Sequence, residues 1–422
     1  MMKKFIVTVA TLTTLVMAVD IDHPHDRIED KKAMTQEELK LEIKHIEDQL
    51  ADMKSKLVAE KGTFDWFHFK GDLRLRYESI ERYDYTATPE DENKYRNRYR
   101  IRLGSEIDFT DKLHLEVGMR SGYGNPTSGN QSFKTDTNLE DYFFESLRFN
   151  VLGFSYEATK NSTYKVGRQP YMMYRAIKSQ LVWDNDVSLN GANYQYKDDS
   201  KIITLGVNQP TLEEDSILRD KSDEEADVNL YIAQYVQKTK LGSAKFNLGT
   251  GYYHYDGLKG KSVIFGSDKG NTVEKIGGVK YYLNDYRLGE AFAELQFKEV
   301  LGQPFKIAAG VVHNFGADTE NFGYDVAFQY GEAKKVKQWQ VKYSYTELQD
   351  DAAFGAYSDS DNFGGGTAAR GHAIRTKYKF ANDTYLAGNF FFNEHYATNT
   401  KTFTTETEPG YNRVQLDAIF KF

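Results

Sequence analysis

From Phe64 to Phe422 the chain changes face at almost every residue. In the last ten positions Val414, Leu416, Ala418, Phe420 and Phe422 are apolar, Arg413, Gln415, Asp417 and Lys421 are polar, and only Ile419 interrupts the series. Phe67, Phe69, Leu73, Leu75 and Tyr77 alternate with His68, Lys70, Asp72, Arg74, Arg76 and Glu78. Tyr95, Tyr99, Ile101, Leu103, Ile107 and Phe109 alternate with Arg96, Arg98, Arg100, Arg102, Glu106 and Asp108. Period two sends successive side chains to opposite faces of a strand, one oily and one wet. A third segment, Leu113 to Arg120, follows the Asp111-Lys112 turn. Further strands read near 141–152, 162–170, 188–197, 201–208, 228–238, 244–256, 285–298, 305–315, 321–331, 337–346, 371–381 and 384–393, which with the terminal segment makes sixteen. Alternation is poorest at 162–170 and 285–298.

The connections alternate in length. Short ones fall at Asp111-Lys112 and at 197–201, 239–243, 299–304, 331–337 and 381–383; long ones lie near 79–93, 122–140, 171–187, 209–227, 257–284, 347–370 and 394–410. A soluble sandwich has no reason to keep long and short loops at opposite ends. A closed membrane barrel does, with short periplasmic turns, longer outer loops and an even strand number. Closure abolishes edges, so one sheet can absorb a length that would otherwise suggest two or three soluble domains. Composition fits: 30 Tyr and 27 Phe, 33 Gly and 7 Pro, within an overall polar average. A net charge of −8 argues against a nucleic-acid partner, and the chain has no cysteine for a disulfide framework.

Ahead of the strands, Lys3 and Lys4 precede a mostly apolar run from Phe5 to Met17, and Ala18 supplies a small residue for cleavage. This predicts a signal peptide over 1–18, since the run is too short to span a membrane. His23 and His25 read as polar tail residues. Thr35 and Glu38 form a capping box, and Leu39, Ile43, Ile46, Leu50, Met53 and Leu57 then recur as a heptad seam. The expected organisation is a signal peptide (1–18), a periplasmic linker with a short coiled-coil helix (19–63) and an outer-membrane barrel (64–422).

The terminal aromatic strand resembles the closing strand of bacterial outer-membrane β-barrels. Val166-Gly167-Arg168-Gln169, Asn190-Gly191-Ala192-Asn193-Tyr194-Gln195-Tyr196, Ala356-Tyr357-Ser358-Asp359-Ser360-Asp361 and Gly364-Gly365-Gly366-Thr367 resemble the putative porin family of Gram-negative bacteria. Members of that family also tend to carry a signal peptide and a short coiled coil ahead of the barrel. The resemblance covers most of the mature chain, and its motifs are structural. It implies a channel in the outer membrane of a Gram-negative bacterium, contacting lipid and passing small hydrophilic solutes. Together with the heptad seam, similarity to trimeric porins suggests a homotrimer.

Sixteen strands enclose a water-filled lumen. Arg74, Arg76, Arg96, Arg98, Arg100 and Arg102 occupy polar-facing positions on the first two strands; Arg375, Lys377, Lys379 and Arg413 lie on strands 14 and 16, the same side once the barrel closes. Ten cations there oppose Asp72, Glu78, Glu106, Asp108 and Asp417, so a basic, weakly anion-preferring wall is expected. The third long loop carries Trp183, Asp184 and Asp186 and is similar in position to the loop that folds into the lumen of general porins; its acids would face the arginines. The fourth long loop, with Glu213, Glu214, Asp215, Asp220, Asp223, Glu224, Glu225 and Asp227, reads as a solvated charge run. Asp359 begins an EF-hand-like string, but Phe363 and Arg370 stand at two ligand positions. No metal, cofactor or catalytic residue is assigned: the nine histidines are scattered, and none sits in a nucleophile or zinc motif. The rival readings are a substrate-specific channel and, more remotely, a barrel enzyme.

Overall fold

A computed structural model of the chain describes residues 66–83, 93–122, 126–133, 147–210, 227–264, 267–395 and 410–422, with the isolated Asp48 and Lys221. The residues before Trp66 form a separate unit, of which only Asp48, in a helix, is described. The signal peptide, the heptad seam and the acidic run at 213–225 therefore lie outside the described residues.

Sixteen strands form the barrel: β1 Phe67–Tyr83, β2 Asn93–Asp108, β3 Leu113–Arg120, β4 Arg148–Thr159, β5 Ser162–Pro170, β6 Ser188–Lys197, β7 Lys201–Gln209 and β8 Asn229–Leu241. They continue as β9 Ala244–Asp256, β10 Tyr286–Val300, β11 Gln303–Asn314, β12 Phe322–Gly331, β13 Trp339–Leu348, β14 Ala369–Lys379, β15 Thr384–His395 and β16 Gly410–Lys421. Each pairs antiparallel with the next, and β1 pairs with both β2 and β16, so the sheet has no edge. No helix among the described residues is long and apolar enough to cross a membrane; the strands cross it.

Alternation sorts the faces as lipid demands. Phe69, Leu75 and Tyr77 on β1 are exposed on the outer face, while Asp72, Arg76 and Glu78 between them are buried inside. Tyr164, Val166, Leu205, Val207, Leu386, Leu416 and Phe420 continue the apolar outer surface. The exception is informative. On β8 to β10 the inner face is largely apolar, with Leu230, Ile232, Val236, Tyr253, Tyr255, Tyr286, Leu288 and Phe292 all buried and Gln234, Asn247, Glu290 and Glu294 buried among them. Those residues receive loops that fold into the barrel, which is why β10 alternates poorly in sequence.

The fourth strand lies at 148–159, seven residues later than its alternation predicts. A bulge opposite Gly118 and Met119 inserts one residue into it. Phe149 therefore faces out at an odd position while Leu152, Phe154 and Tyr156 face out at even ones. One extra residue reverses the parity of everything beyond it. The glycines of two of the family motifs also find a reason. Gly167 pairs with Gly153 on one side and Gly191 on the other, a column across β4, β5 and β6. At Gly167, φ is +106° and a Cβ would come within 2.5 Å of the Leu152 carbonyl oxygen.

Closure is made at the chain's end. The Gly71 N–H donates to the Phe422 carbonyl (2.8 Å), and the Phe422 N–H donates to the Gly71 carbonyl (3.1 Å). The Phe422 ring covers Gly71 and lies 5.9 Å from the Phe69 ring. A Cβ at position 71 would stand 2.5 Å from the Phe422 ring and 2.8 Å from the Arg102 carbonyl oxygen. Gly71→Val is therefore expected to cost about 1–3 kcal/mol of overpacking. On unboiled gels, the temperature at which the folded band converts to the unfolded one should fall for this variant. An unchanged conversion temperature would contradict the packing at the seam.

Candidate functional site

Two loops occupy the lumen. The first joins β5 to β6 (171–187) and the second joins β13 to β14 (349–368). Trp183 is 1 % exposed and is enclosed by the rings of Tyr253 (5.2 Å), Tyr171 and Tyr357 (both 5.8 Å) and Tyr255 (6.4 Å). From the second loop, Phe354 packs on Tyr255 (4.9 Å), Tyr357 (5.2 Å), Tyr282 (5.5 Å) and Tyr286 (5.7 Å). Tyr282 belongs to a small hairpin, Val273–Ile276 and Val279–Tyr282, in the loop between β9 and β10. Buried loop backbone must find partners, and it does. The Asp184 N–H donates to the Tyr357 carbonyl (2.8 Å), the Asn271 amide donates to the Asp350 (2.8 Å) and Ala353 (2.9 Å) carbonyls, and Arg175 donates to the Ser179 (2.9 Å) and Trp183 (3.0 Å) carbonyls.

Facing these loops is a charged wall on β14, β16, β1 and β2. Register sets it up: Arg74 lies opposite Arg100, Arg76 opposite Arg98, Asp72 opposite Arg102 and Glu78 opposite Arg96, while β16 brings Asp417 to Arg76 and Gln415 to Glu78. Arg76 is bidentate on Asp417 (2.6 and 2.9 Å) and also reaches Asp361 of the second loop (3.2 Å). Glu78, fully buried, accepts from Arg96 (2.8 Å), Arg413 (2.8 Å) and Gln415 (3.0 Å), with Arg98 at 3.5 Å. Asp72 accepts from Arg100 (2.8 Å) and Arg102 (2.6 Å). Arg375 meets Asp359 (2.9 Å) and lies 5.0 Å over the Phe391 ring. Arg74 donates to the Asn130 side chain and Arg98 to its carbonyl (2.9 Å).

The two acids of the first loop part company. Asp186 reaches the wall, 3.4 Å from Arg102 and 3.8 Å from Arg100. Burial opposes its ionisation, but Arg100, Arg102, Arg120 and Arg74 hold its carboxyl below the ordinary range. Asp184 turns to the second loop and accepts from the Ser360 N–H (2.9 Å). Burial, with Asp186 and Asp359 nearby, pushes its carboxyl well above the ordinary range. Asp361 is half-buried, and Arg76, Arg413 and Arg74 hold its carboxyl well below that range. Trp183 anchors the loop within the aromatic core rather than lining a passage. Lys377 stands apart from the arginines, its ammonium 4.3 Å from the Tyr385 ring centroid.

Sequence reasoning assigned no site role to Asp359 and Asp361. Read as a defective EF-hand start, they are the counter-ions of Arg375, Arg76 and Arg413, and the signal available was two acids in a long loop above a basic wall. His68 and His114, on β1 and β3, meet through the strand between them: Asp108 of β2 bonds both, at 3.0 and 2.5 Å. Neither histidine is joined there to a nucleophile.

A closed sixteen-strand barrel with an apolar outer belt and loops folded into a charged lumen is an outer-membrane channel. The chain belongs to the family described as "Putative porin", whose sequence model matches residues 81–274 and 290–402. No curated protein sequence matches the chain. Among solved structures, Pseudomonas putida OprB is similar at a TM-score of 0.55 and 12% identity, over 88% of this chain and 97% of that one. A loop-deletion mutant of Vibrio cholerae OmpT matches at 0.45 and 11% identity, over 84% of this chain and 99% of that one. A Rhodopseudomonas blastica porin mutant matches at 0.45 and 11%, over 84% and 100%. The likeness to OprB is one of fold. Family and fold point to a channel rather than an enzyme, in the outer membrane of a Gram-negative bacterium.

Two substitutions should act in opposite directions. Glu78→Gln removes the charge on which Arg96, Arg98 and Arg413 converge, and leaving buried cations short of a partner should destabilise on the order of 3 kcal/mol. Asp184→Asn removes a carboxylate that burial penalises and keeps an acceptor for Ser360. Because Asp184's folded-state value is raised, its contribution falls as pH rises from the ordinary carboxylate range through that raised value. Gel conversion temperatures between about pH 4 and about pH 8 should then decline less in Asp184→Asn than in wild type. Parallel declines in the two proteins would show that Asp184 carries no such burden.

Proposed function

We propose that this channel passes ions and small hydrophilic solutes by passive diffusion, with a weak preference for anions. One observation carries the preference: in six of the eleven ion pairs described on the wall the arginine is the more exposed partner, and the most exposed members of the wall are arginines. Arg102 is 40% exposed against 10% for Asp72, Arg96 35% against 0% for Glu78, and Arg375 22% against 8% for Asp359. Arg76 and Arg413 reverse this order toward Asp361, and by narrower margins so do Arg76 toward Asp417 and Arg100 toward Asp72 and Asp186. A permeating ion therefore meets mainly guanidinium groups, although seven arginines share six carboxylates in these pairs. Narrow aqueous lumens focus that surface field, and salt screens it over about 10 Å at 0.1 M. Each exposed guanidinium can also bond a carboxylate or phosphate in bidentate fashion.

A second reading, a substrate-specific channel, is favoured by how firmly the two loops are seated. Backbone bonds and an aromatic core fix both, so the passage beside them has a set shape rather than a yielding one. Liposome swelling separates the readings. Entry rates that fall smoothly with solute size mark a general pore, whereas one chemical class entering far above that trend marks a specific one.

The heptad seam supports a homotrimer assisted by residues 34–58. Deleting them should weaken the oligomer in native mass measurements and leave the barrel formed; a monomeric full-length protein would contradict this. For selectivity, a planar bilayer under a salt gradient should give a reversal potential on the anion side. That potential should move toward zero in the Arg98→Gln/Arg100→Gln/Arg102→Gln variant. Cation preference in the wild type, or an unmoved potential in the variant, would contradict the proposal.

A further inference from the structure

Most arginines of the wall have carboxylate partners, but a second group of cations in the same lumen is gathered without any carboxylate among the described residues. Lys377 and Lys379 end β14 and Lys421 ends β16, at the end of the barrel closed by short turns. All three point at the ring of Tyr385 on β15, their ammonium nitrogens 4.3, 5.3 and 5.2 Å from its centroid. No two of these nitrogens can lie farther apart than twice the longest of those distances, 5.3 Å. Lys178, at the tip of the first lumenal loop, is held on the same wall: its carbonyl accepts from the Lys342 ammonium (3.4 Å), and Lys342 pairs in register with Arg375, two residues before Lys377 on β14. Among the described residues none of the four forms an ion pair with a carboxylate; Lys379 donates to the Lys334 carbonyl (3.0 Å).

The placement of Lys178 is itself a constrained feature. Ile177 and Lys178 are consecutive non-glycine residues in the left-handed region, at φ 46° and 53°. A β-branched residue adopts that conformation only where its surroundings enforce it. Here Ile177 is buried in an apolar niche with Phe292, Ala308 and Ala327, and its carbonyl accepts from the Lys342 ammonium (3.0 Å). With Ile177 turned into the wall, Lys178 is turned out and exposed. The loop thus spends backbone strain at the position that brings a fourth ammonium toward the other three. Tyr385 supports the cluster in a way a carboxylate would not: its ring face attracts cations without cancelling their charge.

We propose that Lys178, Lys377, Lys379 and Lys421 form a binding station for small anions bearing several acceptor oxygens, phosphate or carboxylate, at the periplasmic end of the lumen. The station rests on the channel reading above. Each ammonium offers three donors and no acceptor, which suits oxyanions over chloride. Occupancy is transient, since conduction needs binding strong enough to enter and weak enough to leave.

The test is chloride current through single full-length channels in a planar bilayer, with inorganic phosphate added on the side of the short turns. Phosphate should reduce the wild-type current in a saturable way. The Lys377→Gln/Lys379→Gln/Lys421→Gln variant should need about tenfold more phosphate for the same block, as expected when hydrogen bonds to charged groups are lost. Lys178→Gln, which leaves the strands untouched, should shift the block in the same direction by less. Should the triple variant give no folded band on unboiled gels, Lys377→Gln and Lys421→Gln singly take its place, each with a smaller shift. Wild-type channels that conduct chloride but show no phosphate block, or variants blocked as strongly as wild type, would overturn the station while leaving the channel intact. An absence of any conductance would instead overturn the channel reading.

Discussion

Inside a hydrocarbon layer no water is available to bond an unpaired peptide group, and each such group costs several kcal/mol. A sheet can cross that layer only if it has no edge. In this chain the requirement comes down to β1 and β16, which pair continuously from Asp72↔Lys421 to Tyr83↔Gly410. The final residue completes the seam through its reciprocal bonds with Gly71. All else follows from that ring. The outer face must be apolar, and polar side chains have only the lumen to occupy.

Once closed, the lumen presents a different problem. It is wide enough for water, and charges gathered there must be paired or solvated. The molecule divides it. Over β8 to β10 the inner wall is mostly aromatic and aliphatic and receives two loops whose backbone bonds are met by Tyr357, Asn271 and Arg175. Over β14, β16, β1 and β2 the wall is ionic. The loops bring Asp186, Asp359 and Asp361 to that wall, so the same chain segments that narrow the passage also supply half the counter-ions of the arginines. Burial would penalise Glu78 and Asp72 severely were they alone; cross-strand register gives each two or more guanidinium partners instead.

Most of the architecture was legible in the sequence because period two is imposed residue by residue by the lipid. Strand number, loop asymmetry and the polar-facing arginines of β1 and β2 all came from it. Legibility failed where another force overrode the alternation. The bulge before Leu152 reversed the parity of β4, and its start was read seven residues early. On β10, Tyr286, Leu288 and Phe292 face inward because loops pack on them, and no sequence-local rule marks that. Asp361 sits 285 residues from Arg76 and pairs with it only after the barrel closes, while Asp359 meets Arg375 sixteen residues on, across a loop whose inward fold no local pattern marks. Trp183 was read beside Asp184 and Asp186 as one unit, yet it serves packing and the two acids face different partners. Lys377 was read with the arginines because it shares their strand face, whereas its neighbours are lysines and a tyrosine ring.

The charged lumen depends on which side chains face water inside the barrel, and the cysteine-free chain lends itself to a direct measurement. Single cysteines introduced one at a time from position 98 to position 103 on β2 can be treated with a charged, water-soluble thiol reagent in membranes, followed by single-channel recording. Cysteines at 98, 100 and 102 should react and their modification should change the conductance, while those at 99, 101 and 103 should be protected by lipid or by packing. Equal reactivity along the strand, or reaction at the odd positions alone, would contradict a lipid-facing and lumen-facing alternation and with it the charged lumen.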